Sequence, residues 1–333
     1  MRALVPPLPR VLQVEVTSAC NLRCAMCLVR YRPPVNKLAG AFDDEMFRRL
    51  VDDLPDLTGL TLQGLGEPLL HPRLLDLVSY THQRGIRVGF NSNATLLSRS
   101  MSEKLVSAGL DWLHVSVDGA TAQAYEAIRE GARLPVVLRN LADLVTVRRE
   151  HGRGNPQIRV VFVAMRRNIA ELPALVELMS RIGVTDLRVQ NLSHDFADTD
   201  PAGSYREIRE YAHDEALWDD DTATRDAFAT AGDVAAARGV QLRLPRTTGR
   251  TAAAAVVAPG CTWPWDSAYV TSAGVVQPCC MVMGDDRVSL GRLTERSFPE
   301  IWADEPYVEF RRRLMRGPPP DVCRGCSLYR GAF

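Results

Sequence analysis

Hydrophobic and polar positions fall into a repeating order along the first 190 residues. Short apolar or alternating runs occur at Leu12–Thr17, Leu60–Gln63, Ile86–Phe90, Trp112–Val117, Ile158–Ala164 and Leu187–Gln190. Each has the length and pattern of a strand. Between them lie stretches with apolar residues three or four apart: Phe42–Leu54, Leu74–Arg84, Ser100–Ala108, Val136–Arg149 and Ile169–Ile182. These read as helices, and Gly85, Gly109 and Gly183 stand where C-terminal glycine caps belong. Strand–helix alternation repeated six times predicts an α/β protein with parallel strands and helical crossovers. Six units are fewer than a closed eight-unit barrel needs, so the pattern allows a partial barrel or an open sheet. In both, ligands bind at the C-terminal ends of the strands.

After Gln190 the pattern weakens. The acidic stretch Asp195–Asp221 predicts a solvated helix over Tyr205–Trp218. Gly249–Gly260, with four consecutive alanines, reads as a crossing between structural units. The expected division is residues 1–245 and 246–333. In the second part, Tyr269–Ser272, Ala273-Gly274 and Val275–Gln277 predict a β-hairpin.

Composition narrows the function classes. Hydrophobic residues make up 46% and charged residues 24%, enough to bury a core. Forty basic residues balance forty acidic ones, so the basic excess of a nucleic-acid binder is missing. Residues 1–10 hold prolines at 6, 7 and 9 and no apolar run, unlike a signal peptide or membrane anchor. No stretch reaches the ~18 apolar residues of a bilayer span. The expectation is a cytoplasmic protein without membrane or nucleic-acid partners. In that compartment eight cysteines point to metal ligation or catalysis rather than disulfides.

The cysteines form two groups. Cys20, Cys24 and Cys27 follow the first strand with C-x3-C-x2-C spacing. Structural zinc and iron–sulfur clusters usually take four protein ligands, so three thiolates leave a coordination position open. A zinc site completed by His or Asp, or three unrelated cysteines, are the alternatives. The second group is Cys261, Cys279, Cys280, Cys323 and Cys326.

The segment CNLRCAMC resembles the cluster motif of the radical S-adenosylmethionine (radical SAM) enzymes. The resemblance implies a partial (β/α)6 TIM-like barrel. It also implies a 4Fe-4S cluster on Cys20, Cys24 and Cys27 that binds SAM through its open iron and cleaves it to a 5′-deoxyadenosyl radical. Met26 takes the family's adenine-side position. Gln63-Gly64-Leu65-Gly66-Glu67-Pro68 is similar to the family's Gly-Gly-Glu-Pro turn, with Leu65 replacing a glycine. That assigns Gly66 to close backbone approach and Glu67 to the SAM ammonium. Asn93, after the third strand, matches a ribose contact, and Ser116, at the end of the fourth, a ribose or carboxylate contact. Arg129 matches the residue that pairs with the methionyl carboxylate, and Leu192 the apolar backing of adenine.

The C-terminal pattern C-x12-G-x4-C…C-x2-C resembles the auxiliary cluster domains called SPASM in their long form and Twitch in their short form. The resemblance implies a second 4Fe-4S cluster on Cys261, Cys279, Cys323 and Cys326, with zinc as the alternative. Cys280, adjacent to Cys279, reads as a buried small apolar residue. A flavodoxin or ferredoxin-type donor is the expected electron source.

Polar residues on the strands define the expected substrate side. Gln13, Glu15 and Thr17 share a face of the first strand, Thr61 and Gln63 of the second, Arg188 and Gln190 of the sixth. Glu15 and His194 are the candidate proton acceptors. The expected reaction is hydrogen abstraction from a small polyhydroxylated intermediate such as a sugar, aminocyclitol or nucleoside. Dehydrogenation leads, with decarboxylation or epimerisation also open, and the organisation is similar to butirosin-type aminocyclitol dehydrogenases. The alternative is radical modification of a ribosomally made peptide. A chain entering its first strand without a preceding leader-binding domain, with ligands for one auxiliary cluster, favours the small molecule.

Overall fold

One face of the parallel strands is fully buried: Leu12, Val14, Leu62, Val88, Val115, Val160 and Leu187 have no exposed surface, and in Gly59–Leu62, Trp112–Ser116 and Asp186–Gln190 they alternate with half-buried positions. The computed structural model describes residues 2–31, 40–152, 154–217, 222–245, 261–284 and 286–331. Its strands in chain order are β1 (Val11–Val14), β2 (Gly59–Leu62), β3 (Arg87–Ser92), β4 (Trp112–Ser116), β5 (Gln157–Val163), β6 (Asp186–Gln190), β7 (Gln241–Arg243), β8 (Ser267–Val270), β9 (Val275–Gln277) and β10 (Gly291–Arg292). The chain forms two compact units. The first comprises Met1–Cys20, Pro33–Phe90 and Gly260–Arg324, the second Asn21–Arg32, Asn91–Pro259 and Gly325–Phe333.

In the first unit β1 lies between β2 and β8, parallel to both, and β2 pairs in parallel with β3. The hairpin expected near the C-terminus is β8 and β9, and β10 adds antiparallel to β9. Gly274 in its turn has φ 74°, a left-handed backbone that glycine adopts without strain. The helix Asp44–Asp52 starts where Asp43 accepts a hydrogen bond from the Met46 amide. Near the C-terminal end lie Phe298–Ala303, opened by a Ser297/Glu300 capping box, and Glu305–Arg316.

In the second unit β4, β5, β6 and β7 are parallel neighbours. Arg99–Ser107, Ala122–Ile128, Leu134–Glu150 and Leu172–Ile182 follow the strands in βα order. Gly109 and Gly183 end their helices with φ of 88° and 89°, as their places in the sequence predict.

Several elements differ from the expectation. β1 ends at Val14 because the chain turns its next residues to other partners, described below. The acidic helix is shorter, Arg206–Glu215. The helix Thr222–Arg238 and the strand β7 carry no clear apolar period. That helix buries Thr224, Ala227, Ala231 and Ala235, small side chains that pack closely yet give little hydrophobic signal. The Gly249–Gly260 segment lies outside the described residues. Cys280 is half-buried at the start of a short 3-10 turn, not fully buried as its neighbourhood suggested.

Candidate functional site

Glu15 is the first residue after β1 and is 3% exposed. Its Oε2 accepts from the Leu65 amide and the Tyr269 hydroxyl, both at 2.8 Å. Its Oε1 accepts from the Ser272 hydroxyl at 2.9 Å and the Ser272 amide at 3.2 Å. Four donors therefore converge on one carboxylate, which is what burial of that charge requires. The candidate proton acceptor is fixed between the β2 turn and the β8–β9 hairpin.

The turn after β2 explains its own glycines. A Cβ on Gly64 would stand 2.2 Å from Glu15 Cγ, and one on Gly66 would stand 2.1 Å from the Thr17 carbonyl oxygen and 2.6 Å from that of Ala19. Both positions need glycine for space. Leu65 is not among the residues with positive φ, so the side chain that departs from the family pattern is accommodated without strain. The Glu67 amide donates to the Ala19 carbonyl at 2.8 Å, which ties the turn to the loop entering Cys20. The Glu67 carboxylate is 3% exposed and caps the short turn Pro68–Leu70 through the Leu69 amide.

In the second unit, the loop carrying Cys24 and Cys27 runs beside residues 128–130. Arg23 N donates to Glu130 O at 3.0 Å, and Ala25 N to Ile128 O at 2.8 Å. This places Arg129 at the loop. Its Nε donates to Asp118 Oδ2 at 2.7 Å and its Nη1 to Cys24 Sγ at 3.8 Å. Asp118 is fully buried, and its Oδ1 accepts from the Val163 amide at 2.8 Å. Burial alone would lower the Arg129 pKa, but Asp118 and Cys24 outweigh it and hold the guanidinium charged. Burial pushes the Cys24 thiol up, and Arg129 pulls it back. Asp118 was not among the expected site residues, although Ser116-Val117-Asp118-Gly119 ends a strand. The missed signal is a carboxylate one position before a glycine whose Cβ would lie 2.8 Å from Tyr125 N.

The remaining expected residues take the following places. Asn93 Nδ2 donates to Asn21 Oδ1 at 2.9 Å, next to the cysteine loop, and Asn93 Oδ1 accepts from the Thr95 hydroxyl at 2.7 Å. Ser116 is the last residue of β4, Met26 is half-buried in the loop, and Leu192 is half-buried just after β6. His194 is 3% exposed. Its Nδ1 accepts from the Phe196 amide at 2.8 Å, and its ring lies 5.0 Å from that of Phe196. It forms an isolated antiparallel bridge with Cys326.

Of the C-terminal cysteines, Cys261, Cys279 and Cys323 belong to the first unit and Cys326 to the second. Cys323 and Cys326 are buried, and burial raises the Cys261 thiol pKa. None of the eight cysteines is in a disulfide. Among the described residues no three His, Cys, Asp or Glu side chains stand close enough to hold one metal ion. A cluster asks for less, since each of its thiolates sits on a separate iron. The two cysteine groups offer thiols, soft donors that suit iron–sulfur chemistry.

Two family models match separate parts of the chain. That of the radical SAM superfamily matches residues 14–179, and that of an iron-sulfur cluster-binding domain matches residues 261–327. The tungsten-containing aldehyde ferredoxin oxidoreductase cofactor-modifying protein of Pyrococcus furiosus is 27% identical over 96% of this chain and 87% of its own. Among solved structures, Streptococcus suis SuiB bound to precursor peptide SuiA has a TM-score of 0.70 at 16% identity, over 97% of this chain and 71% of SuiB. BtrN in complex with AdoMet and 2-DOIA has a TM-score of 0.54 at 19% identity, over 96% of this chain and 94% of BtrN.

Proposed function

This chain belongs to the radical SAM superfamily and carries a C-terminal iron–sulfur cluster-binding domain, and from that premise we propose that it modifies a ribosomally made peptide by radical chemistry. The fold class is the expected α/β partial barrel with a C-terminal cluster domain, and the cofactors are 4Fe-4S clusters and SAM. The observation that carries the peptide reading is the likeness to SuiB, whose structure holds a precursor peptide, over 97% of this chain.

When bound, the first cluster and SAM supply a 5′-deoxyadenosyl radical that takes a hydrogen atom from substrate. The chain's own residues do the rest. Cys20, Cys24 and Cys27 would hold the first cluster, and Cys261, Cys279, Cys323 and Cys326 the auxiliary one. Asp118 anchors Arg129 through Nε, and Arg129 would pair with the SAM carboxylate, a contact suited to a planar guanidinium. Glu67 would take the SAM ammonium, Asn93 the ribose, Ser116 the ribose or carboxylate, and Met26 and Leu192 would flank adenine. Glu15 holds the β2 turn and the hairpin in register instead of moving a proton, and His194 fixes the strand end beside Cys326. A flavodoxin or ferredoxin-type protein delivers the electron.

The BtrN likeness supports a second reading, oxidation of a small polyhydroxylated intermediate. The two separate cleanly. Precursor peptides encoded beside the gene, deuterated at the reacting carbons, are expected to pass deuterium to 5′-deoxyadenosine. Transfer from a deuterated aminocyclitol or sugar, with none from any peptide, would select the second reading.

A further inference from the structure

Arg311 has no exposed surface, and among the described residues no carboxylate pairs with it. Its partners are all neutral. Nε donates to Pro264 O at 2.8 Å, and Nη1 donates to Trp302 O at 2.8 Å and Leu4 O at 3.1 Å. The guanidinium lies 4.1 Å from the Trp302 ring centre and 4.0 Å from that of Tyr307. Nη2 has no acceptor among the described residues. The Tyr307 hydroxyl, on an equally buried side chain, has none either. An isolated buried cation costs several kcal/mol, and native proteins seldom leave one uncompensated. Among the described residues, two donors and one positive charge are thus gathered with no acceptor for those donors and no carboxylate for that charge.

Their neighbours indicate what is missing. Pro264, which Arg311 grips, is three residues after Cys261. Burial pushes the Tyr307 hydroxyl pKa up, Arg311 opposes the rise and the Cys279 thiol adds to it. Both cysteines, with Cys323, belong to this unit. A thiolate-ligated iron–sulfur cluster is an anion whose sulfurs accept hydrogen bonds, and such bonds and charges set its potential.

We propose that Arg311 and Tyr307 are positioning residues for the auxiliary cluster: Arg311 supplies its buried counter-charge and Tyr307 a hydroxyl donor on its Cys279 side. The pair raises the cluster's reduction potential, making it the better electron acceptor, and stabilises the loaded over the empty domain. This rests on the cluster-binding reading of Cys261, Cys279, Cys323 and Cys326. A wild-type protein that loads no second cluster defeats that reading, whereas a loaded wild type with indifferent variants defeats only the proposal.

The experiment compares wild type with Arg311→Met, Arg311→Lys and Tyr307→Phe, each loaded with both clusters. Redox titration followed by electron paramagnetic resonance reads the auxiliary potential, and SAM, which perturbs only the cluster it binds, tells the two signals apart. Expected is a lower auxiliary potential in Arg311→Met, partial recovery in Arg311→Lys, and a smaller fall in Tyr307→Phe, which keeps the ring and therefore the packing. Chelator-driven iron loss from this cluster should quicken about ten-fold or more in Arg311→Met. The rise in melting temperature on loading should shrink in the same variant. An unchanged potential, with equal stability losses in empty and loaded protein, overturns the proposal and leaves Arg311 a pin for three carbonyls. Should Arg311→Met not fold, Tyr307→Phe and Arg311→Lys decide alone: wild-type potentials in both overturn it.

Discussion

Asp118 shows what a single buried carboxylate can control. It faces the Arg129 guanidinium on one oxygen and the Val163 amide on the other. Removing one partner of a buried ion pair strands the other, at a cost of about 3–5 kcal/mol. Asp118→Ala should therefore lose about that much stability in denaturant titration, and an undiminished midpoint would sink the pairing. Arg129→Ala removes a charge-assisted contact, so SAM affinity should fall about ten-fold or more. Wild-type SAM titration of that variant would refute the assignment of Arg129. His71 gives a pH signature. It is 5% exposed, its Nδ1 accepts from the Arg73 amide, its Nε2 meets Phe42 O, and burial lowers its pKa. The unfolded chain binds the proton more tightly, so stability is whole above about pH 6.5 and drains away as pH falls below it. The melting temperature should drop over that range, and His71→Gln should flatten the drop. Sequence alone could nominate Arg129, because an arginine at a fixed place after a strand belongs to a pattern. It could not nominate Asp118 or His71, whose roles come from partners far along the chain.

The β2 turn is the element where pattern and geometry meet. Gly66→Ala pushes a Cβ into two carbonyl oxygens of the loop before Cys20, and neither can move without moving that loop. Iron uptake at the first cluster should fall in this variant while uptake at the auxiliary site persists. Equal uptake at both would show that the turn does not shape the loop. The long, periodic helices and β1–β6 were legible because a period of two or of 3.6 repeats within each. The helix Thr222–Arg238 was not, since its buried stripe is alanine and threonine. Arg206–Glu215 was placed correctly, though its ends were not.

At the scale of the whole molecule, the two cysteine groups carried most of the legible function. Three cysteines after β1 and four of the five in the last quarter are the two proposed ligand sets, and no helix among the described residues is long and apolar enough to cross a membrane. With two 4Fe-4S clusters the protein should bind about eight irons. Replacing Cys20, Cys24 and Cys27 with alanine should leave about half of them and abolish 5′-deoxyadenosine formation, and continued formation would exclude this ligand set. Substrate identity was not legible. The polar strand face that suggested a polyol includes Glu15, and the structure spends that carboxylate on four internal donors.

The same carboxylate has a consequence for the order of synthesis. β1 receives its second neighbour, β8, and Glu15 two of its partner residues, Tyr269 and Ser272, only after most of the chain has been made. Until then a growing chain shows an open edge on its first strand, the kind of edge that recruits other strands. A charged side chain at the end of that edge guards it while it waits. The group that later locks the first unit together is thus, in the unfinished chain, a charge standing at an open edge.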